Sequence, residues 1–336
     1  MKKIISLLLA VLPLTMVAQD LVVVATANES FNDVTSISVV GEFCKVNIIK
    51  GDSVGVTGEL KANKQLEGYA IAFEENAGEL KVNVQKPESG WTSHSGALDI
   101  TLPNGVSVDV ITSSGYITID GLASQSFSAQ SKSGKINANN LEGDVSLKSK
   151  SASVKANNIK GKLSLSTKGG AHVVRNVTGA VALSSSKGAM LVENIEGSLT
   201  TESTDGAQTI KQVNGDVKLK TMAGAMKLSK AKGNVQSLSA AGTLNLFDVT
   251  GVLSCVSTKG AIIGTRVRLE GSSSFNTTEG KIKLKMENPK EELSFLCESK
   301  HAYIVAFGKS KKKKLKTGSG AIVITSVSTT GAQSYY

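Results

Sequence analysis

Apolar and polar residues alternate with period two in short bursts along most of this chain, the pattern of strands with one buried face. Between residues 131 and 267 the bursts keep a fixed measure. Gly134, Gly143, Gly161, Gly170, Gly179, Gly188, Gly197, Gly206, Gly215, Gly224, Gly233, Gly242, Gly251 and Gly260 fall on one nine-residue lattice, with Ala152 in the single gap. Successive halves differ, so the repeating unit is 18 residues, as in Gly188-Ala-Met-Leu-Val-Glu-Asn-Ile-Glu-Gly197-Ser-Leu-Thr-Thr-Glu-Ser-Thr-Asp205. Counting the first glycine as zero, position four holds Ala138, Ala156, Val174, Val192, Ile210, Leu228 and Leu246. Position eleven holds Val145, Leu163, Val181, Leu199, Val217, Val235 and Leu253. Each half therefore reads as a short strand plus a turn in which glycine supplies backbone angles that other residues resist. A strand pair of this size cannot bury its apolar face alone, but coils stacked ~4.8 Å apart can. The expected fold class is all-β, a β-helix or β-solenoid with 18-residue turns made of two nine-residue halves.

Stacking predicts ladders of like residues, and two are visible. Position fifteen reads Ser131, Ser149, Thr167, Ser185, Ser203, Thr221, Ser239 and Ser257, and position six reads Asn140, Asn158, Asn176 and Asn194, then Gln212. Stacked Asn side chains at a turn can bond to one another or to exposed backbone. Outside the array, Ser114-Gly115-Tyr116-Ile117, Glu279-Gly280-Lys281-Ile282 and Ser319-Gly320-Ala321-Ile322 fit the same turn, with insertions near 122–127, 268–271 and 286–299. Residues 20–110 hold strand-like stretches without the lattice, such as Leu80-Lys81-Val82-Asn83-Val84. The organisation expected is a signal peptide over 1–18, an irregular β segment capping the stack at its N-terminal end over 19–110, and the solenoid over 111–336. Solenoids need such caps because an open end exposes unpaired strand edges.

Composition fits thin, regular packing, with aromatics at 4% and 33 glycines. The start, Met1-Lys2-Lys3, then Ile4 to Val17, then Ala18-Gln19-Asp20, has the layout of a secretory signal cleaved after Ala18. The apolar run is shorter than the ~20 residues of a spanning helix, and no later segment is apolar enough to cross a membrane. Location is accordingly expected in the periplasm, on the outer surface, or outside the cell. Cys44, Cys255 and Cys297 are odd in number and have no metal-like spacing, so a disulfide framework is not indicated. The net charge of +10 is local: Lys2 and Lys3 leave with the signal, and Lys309, Lys311, Lys312, Lys313, Lys314 and Lys316 form one run. The remainder is close to neutral, which argues against nucleic acid as a partner.

Phe31-Asn-Asp-Val, Gly41-Glu-Phe-Cys-Lys-Val-Asn-Ile-Ile-Lys-Gly51-Asp, the Leu102-Pro103 step and the repeated Ser-Gly-x-Ile units resemble the adhesin-like family of auto-transporter adhesin head (GIN) domains and its relatives. The resemblance spans essentially the whole chain after the signal. It implies a single-stranded right-handed β-helix, secreted or surface-associated, in bacteria of Bacteroidetes type, and carries no catalytic residue across.

Little in the repeat points to chemistry. A calcium-binding β-roll shares the 18-residue turn but needs carboxylate columns, and position ten reads Asp144, Lys162, Ala180, Ser198, Asp216 and Asn234. A glycoside hydrolase needs two carboxylates at a set separation, and Glu142 and Glu196 share a column three rungs apart, roughly 14 Å. His172 shares a column with Val154, Met190 and Met226, the setting of a packed histidine. No catalytic residue, metal site or cofactor is expected. The candidate partner face is the run of small outward residues Ser164, Ser166, Ala180, Ala182, Ser184, Ser198 and Thr200. It suits a protein or another protomer better than a sugar, which wants stacked aromatics when Trp91 is the single Trp. The Lys309–Lys316 run is a candidate contact for an anionic surface, or else a solvated hairpin loop between Val305 and Ile322. The function expected is a noncatalytic exported adhesin-like or scaffold module that binds a protein or cell-surface polymer. A periplasmic envelope-associated interaction protein comes second, and a polysaccharide-binding or polysaccharide-active β-helix third.

Overall fold

A computed structural model describes residues 21–91 and 93–336. The expected signal peptide lies outside the described residues. Among the described residues the structure is strand throughout, apart from turns and one short 3-10 turn at Lys290–Glu292.

Each coil contributes one strand to each of two parallel sheets. In the first sheet Ile136 lies beside Val154, Val154 beside His172, and the same step of eighteen continues to Leu244 beside Ile262. In the second, Val145 lies beside Leu163 and the step continues to Val235 beside Leu253. The insertions appear as longer steps, Ile117 to Ile136 before the array and Ile262 to Ile282 after it. Inward residues of both sheets meet in a narrow core. Val154, Ala156, Ile159, Leu163 and Leu165 are all essentially inaccessible. Among the described residues the fully buried Phe and Tyr side chains, Phe127, Phe275, Phe295 and Tyr335, lie towards the ends. Over the regular stretch the narrow gap between the two sheets is filled mainly by aliphatic side chains, which accounts for the sparse aromatics.

Both ends of the stack are wound out of sequence. Ser36–Glu42 lies between Glu79–Gln85 and Ser107–Thr112, and Lys45–Lys50 lies between His94–Leu102 and Ile117–Asp120. Residues 36–50 thus form a complete inner rung, and the expected boundary at 110 cuts through a strand. The lattice could not reveal this, because it records only coils that neighbour each other in sequence. Antiparallel strands then close this end: Ala70–Asn76 on Glu79–Gln85, Val54–Ala62 on His94–Leu102, and Val22–Phe31 outermost. Phe31 and Phe73, on the two outer strands, pack at 5.3 Å.

The other end repeats the device. Ile322–Ser328 and Gln333–Tyr335 sit between Ser273–Thr277 or Ile282–Met286 on one side and Leu293–Ala306 on the other. Gly331, not Gly320, therefore occupies the repeat's turn, directly over Gly280. Gly320 instead passes close to the backbone of Glu292. The lysine run is not a loop either. Lys309–Gly318 is a strand, antiparallel to Leu293–Ala306, and forms the terminal edge of the stack.

Candidate partner-binding faces

The two ladders have structural assignments. Six of the eight hydroxyl residues bond to backbone three positions on, as in the Ser203 Oγ donating to the Gly206 carbonyl (2.9 Å) and the Gly188 N–H donating to Ser185 Oγ (2.8 Å), while Thr221 donates to the Thr204 carbonyl. The same bond appears outside the array, from Thr112 Oγ1 to the Gly115 carbonyl and from Ser328 Oγ to the Gly331 carbonyl. Position six is left-handed in every regular rung, with φ of 53° at Asn140, 54° at Asn176, 56° at Gln212 and 56° at Arg266. Asn tolerates that region better than most residues. Its amides also join the rungs: Asn158 Nδ2 donates to Asn140 Oδ1 (2.8 Å), Asn176 to Asn158 and Asn194 to Asn176 (both 2.9 Å).

The predicted small residues do assemble on one outward face, that of the second sheet. Ser164, Ala182 and Thr200 are neighbours in one column, and Ser166, Ser184 and Glu202 in the next. Ala180 and Ser198 flank the strand starts in adjacent turns. Sequence reasoning missed what this face becomes four rungs on. The Ser166 column continues through Lys220 to Leu238 and Val256, which are 50% and 39% exposed. A shallow depression of about 330 Å³ is lined there by Thr200, Glu202, Lys218, Lys220, Leu238 and Val256 among others. Following that column, position fourteen of the repeat, past Lys220 would have exposed the signal.

A second feature runs along the left-handed corner, where the bend leaves a groove of about 700 Å³ lined by Asn194, Glu196, Gln212, Asn214, Lys230, Lys232 and Asp248 among others. Asn214 Nδ2 donates to Glu196 (2.9 Å). Ion pairs between successive rungs account for many exposed acids: Lys160 with Glu142 (2.5 Å), Lys220 with Glu202 (2.7 Å), and Glu193 held between Arg175 and Lys211. The hydrogen bond from Arg175, then that from Lys211, holds the Glu193 carboxyl below its usual range. At the terminal edge Lys314 pairs with Glu298 (2.7 Å) and Lys312 lies over the Tyr303 ring. Lys309 and Lys311 are opposite Ala306 and Ile304, so they stand on the face that is core in the rungs below.

Two sets of polar groups inside the stack are matched to each other. Thr201 Oγ1 donates to Gln208 Oε1, whose Nε2 donates to the Lys220 carbonyl (2.8 Å). Ser326, Gln333 and the Glu298 carbonyl repeat this arrangement. All three cysteines are buried and unpaired, and burial pushes the Cys44 and Cys255 thiols up to about 12, which suppresses the nucleophilic thiolate. His172 is 1% exposed and bonded to Thr167. Among the described residues no group of three or more His, Cys, Asp or Glu side chains is placed to hold a metal.

A family profile described as Toastrack DUF4097 matches residues 34–213, more than half of the chain. The chain belongs to the Toastrack DUF4097 family. The Toastrack match begins just before the out-of-sequence inner rung and runs to the middle of the regular stack. The resemblance to adhesin-head (GIN) domains drawn from the opening motifs is not confirmed by this match. No curated protein matches the chain. Among solved structures, the Toastrack chain is similar to a candidate cell adhesion protein from Clostridium sporogenes, at 11% identity over 92% of this chain and 97% of that one, with a TM-score of 0.22. It is similar also to a candidate adhesin from Bacteroides fragilis, at 13% identity over 95% and 98% with a TM-score of 0.24. A candidate adhesin from Parabacteroides merdae has 14% identity over 78% and 95%, and a TM-score of 0.28. Among the described residues of the Toastrack chain no helix is long and apolar enough to cross a membrane.

Proposed function

We propose that the protein is a noncatalytic, exported scaffold or adhesin-like module that presents flat solenoid faces to a protein or cell-surface polymer. The observation that carries this reading is the assignment of the repeated polar residues. Hydroxyls bond the turns, Asn side chains tie rung to rung, and acids such as Glu142, Glu193 and Glu202 pair with bases. What remains available to a partner is surface, not a reaction centre. Export rests on the layout of residues 1–20. Protease treatment of intact cells followed by fractionation tests the location. Digestion from outside supports the adhesin reading, and strictly periplasmic protein replaces it with an envelope-associated partner.

The polar corner groove favours a polymer over a compact ligand, because it runs along the stack past several rungs and mixes amides with Lys230 and Lys232. Binding to a panel of charged and neutral glycans tests this second reading. Loss of binding in Lys230→Glu supports it, and turnover of any glycan that disappears with a single acid substitution overturns the noncatalytic assignment. For the lysine strand, contact with anionic lipid or acidic polymer is the sequence-derived reading. Its position at the sheet edge supports a different one, in which the charges block addition of a further strand.

A further inference from the structure

The outward face of the second sheet is self-complementary under a two-fold operation. Its central rungs carry Ser198, Thr200 and Glu202, then Asp216, Lys218 and Lys220. Before them lie Ala180, Ala182 and Ser184, preceded by Lys162, Ser164 and Ser166. After them lie Asn234, Gln236 and Leu238, followed by Val252, Ser254 and Val256. A two-fold axis lying in the face parallel to the strands, midway between Glu202 and Lys220, reverses the order of rungs and keeps each column. Glu202 then meets the partner's Lys220, Leu238 meets the partner's Ser184, and Val256 meets the partner's Ser166. No like charges are opposed.

An axis shifted by one rung either way sets Leu238 against Lys148 or against Lys220, and axes on a rung or along the stack fail on charge. An axis on the Lys218 rung sets Lys218 and Lys220 against their own copies, and an axis on the Glu202 rung does the same to Glu202. An axis along the stack sets Lys218 against Lys218. Size also favours the first arrangement. With the end rungs of Ser146 and Lys148 and of Ser274 and Asn276 included, eight rungs at ~4.8 Å and five residues at ~3.3 Å give roughly 600 Å² per protomer. The total of about 1,200 Å² is at the lower limit for a specific interface. Small side chains opposite Leu238 and Val256 allow the sheets to approach the ~10 Å of face-to-face packing.

We infer that a second copy of this chain docks on this face, forming an isologous dimer centred on the Glu202–Lys220 pairs. The test is sedimentation of the full mature chain across a concentration series. The wild type forms a dimer, and Glu202→Lys or Lys220→Glu alone raises the dimer Kd by about tenfold or more, since each sets like charges at the centre. The double variant E202K/K220E restores the dimer, because the exchange is symmetric across the axis. Melting temperature shows that each variant is folded. The reciprocal exchange of Glu142 and Lys160, an exposed pair elsewhere on the coil, leaves the dimer unchanged. A wild type that is monomeric at every concentration overturns the inference. So does a dimer indifferent to either single reversal, or a double variant no better than the singles.

Discussion

Acid should weaken this protein through one side chain. His172 lies inside the stack, with Nε2 2.8 Å from Thr167 Oγ1. The Thr167 hydroxyl proton is already committed to the Gly170 carbonyl at 2.7 Å, so Thr167 accepts from an Nε2–H. Nδ1 is buried without a partner. Charging the ring would put a second proton where nothing accepts it, and burial lowers the pKa from 6.5 to about 4. Because the folded-state value is depressed, the unfolded chain binds the proton first. Stability from the neutral ring is therefore complete above pH ~6.5 and declines as the pH falls. The shift of 2.5 units (6.5 minus 4) corresponds to about 3 kcal/mol, all of it lost below pH ~4, with roughly 2 kcal/mol gone by pH ~5. The assay is denaturant unfolding at a series of pH values for the wild type and for His172→Met, which copies the neighbouring Met190. The wild type should lose about 2 kcal/mol more than the variant between pH ~8 and ~5. His94, whose pKa is also held low by burial and by Lys86, is common to both proteins and cancels in the difference. Parallel stability curves would refute the reasoning.

Three further outcomes follow from the packing. Gly206→Val should destabilise the fold by several kcal/mol, because a Cβ there would stand 2.1 Å from the Gly188 carbonyl oxygen and overpacking of this kind costs at least ~1–3 kcal/mol; thermal unfolding reads it. Thr201→Val should cost about 1–3 kcal/mol by leaving Gln208 short of a donor, whereas the double variant T201L/Q208M, which copies the Leu and Met of adjacent rungs, should be close to neutral. Urea midpoints decide between them. Replacing Lys309 and Lys311 with Val should leave the fold intact and promote association, visible as light scattering or thioflavin fluorescence, since inward charges guard an exposed edge.

The regular rungs were legible because equivalent residues recur at a fixed separation, and register follows once the 18-residue unit is counted. The need for glycine was legible only in part. Gly197 and its equivalents have positive φ, 139° at Gly197 itself. At Gly206 and its equivalents the demand is steric, the close approach of the preceding rung's carbonyl, which no local pattern announces. The inner rung at 36–50 and the insertion of 322–335 were illegible for a related reason. Their neighbours are set by contacts remote in sequence, with Ile37 beside both Leu80 and Val108. On the candidate faces, the small-residue columns follow from the 18-residue step, which makes Ser164, Ala182 and Thr200 strand neighbours. The apolar half beyond Lys220 was passed over because Leu238 and Val256, read singly, look like ordinary strand residues.

The insertion of the last strands has a consequence for how the molecule is completed. A solenoid wound strictly in order can grow by adding each coil to a finished edge, and a chain cut short merely has fewer coils. Here the segment ending at Tyr335 enters a slot whose two walls, Ile282–Met286 and Leu293–Ala306, precede it in the chain. Until the carboxy-terminal residues emerge from synthesis, that slot stays open with unpaired backbone on both walls. A chain truncated before Ile322 is therefore not a shorter version of the same protein but one with an internal gap, and its defect is greatest where the intact molecule is most enclosed.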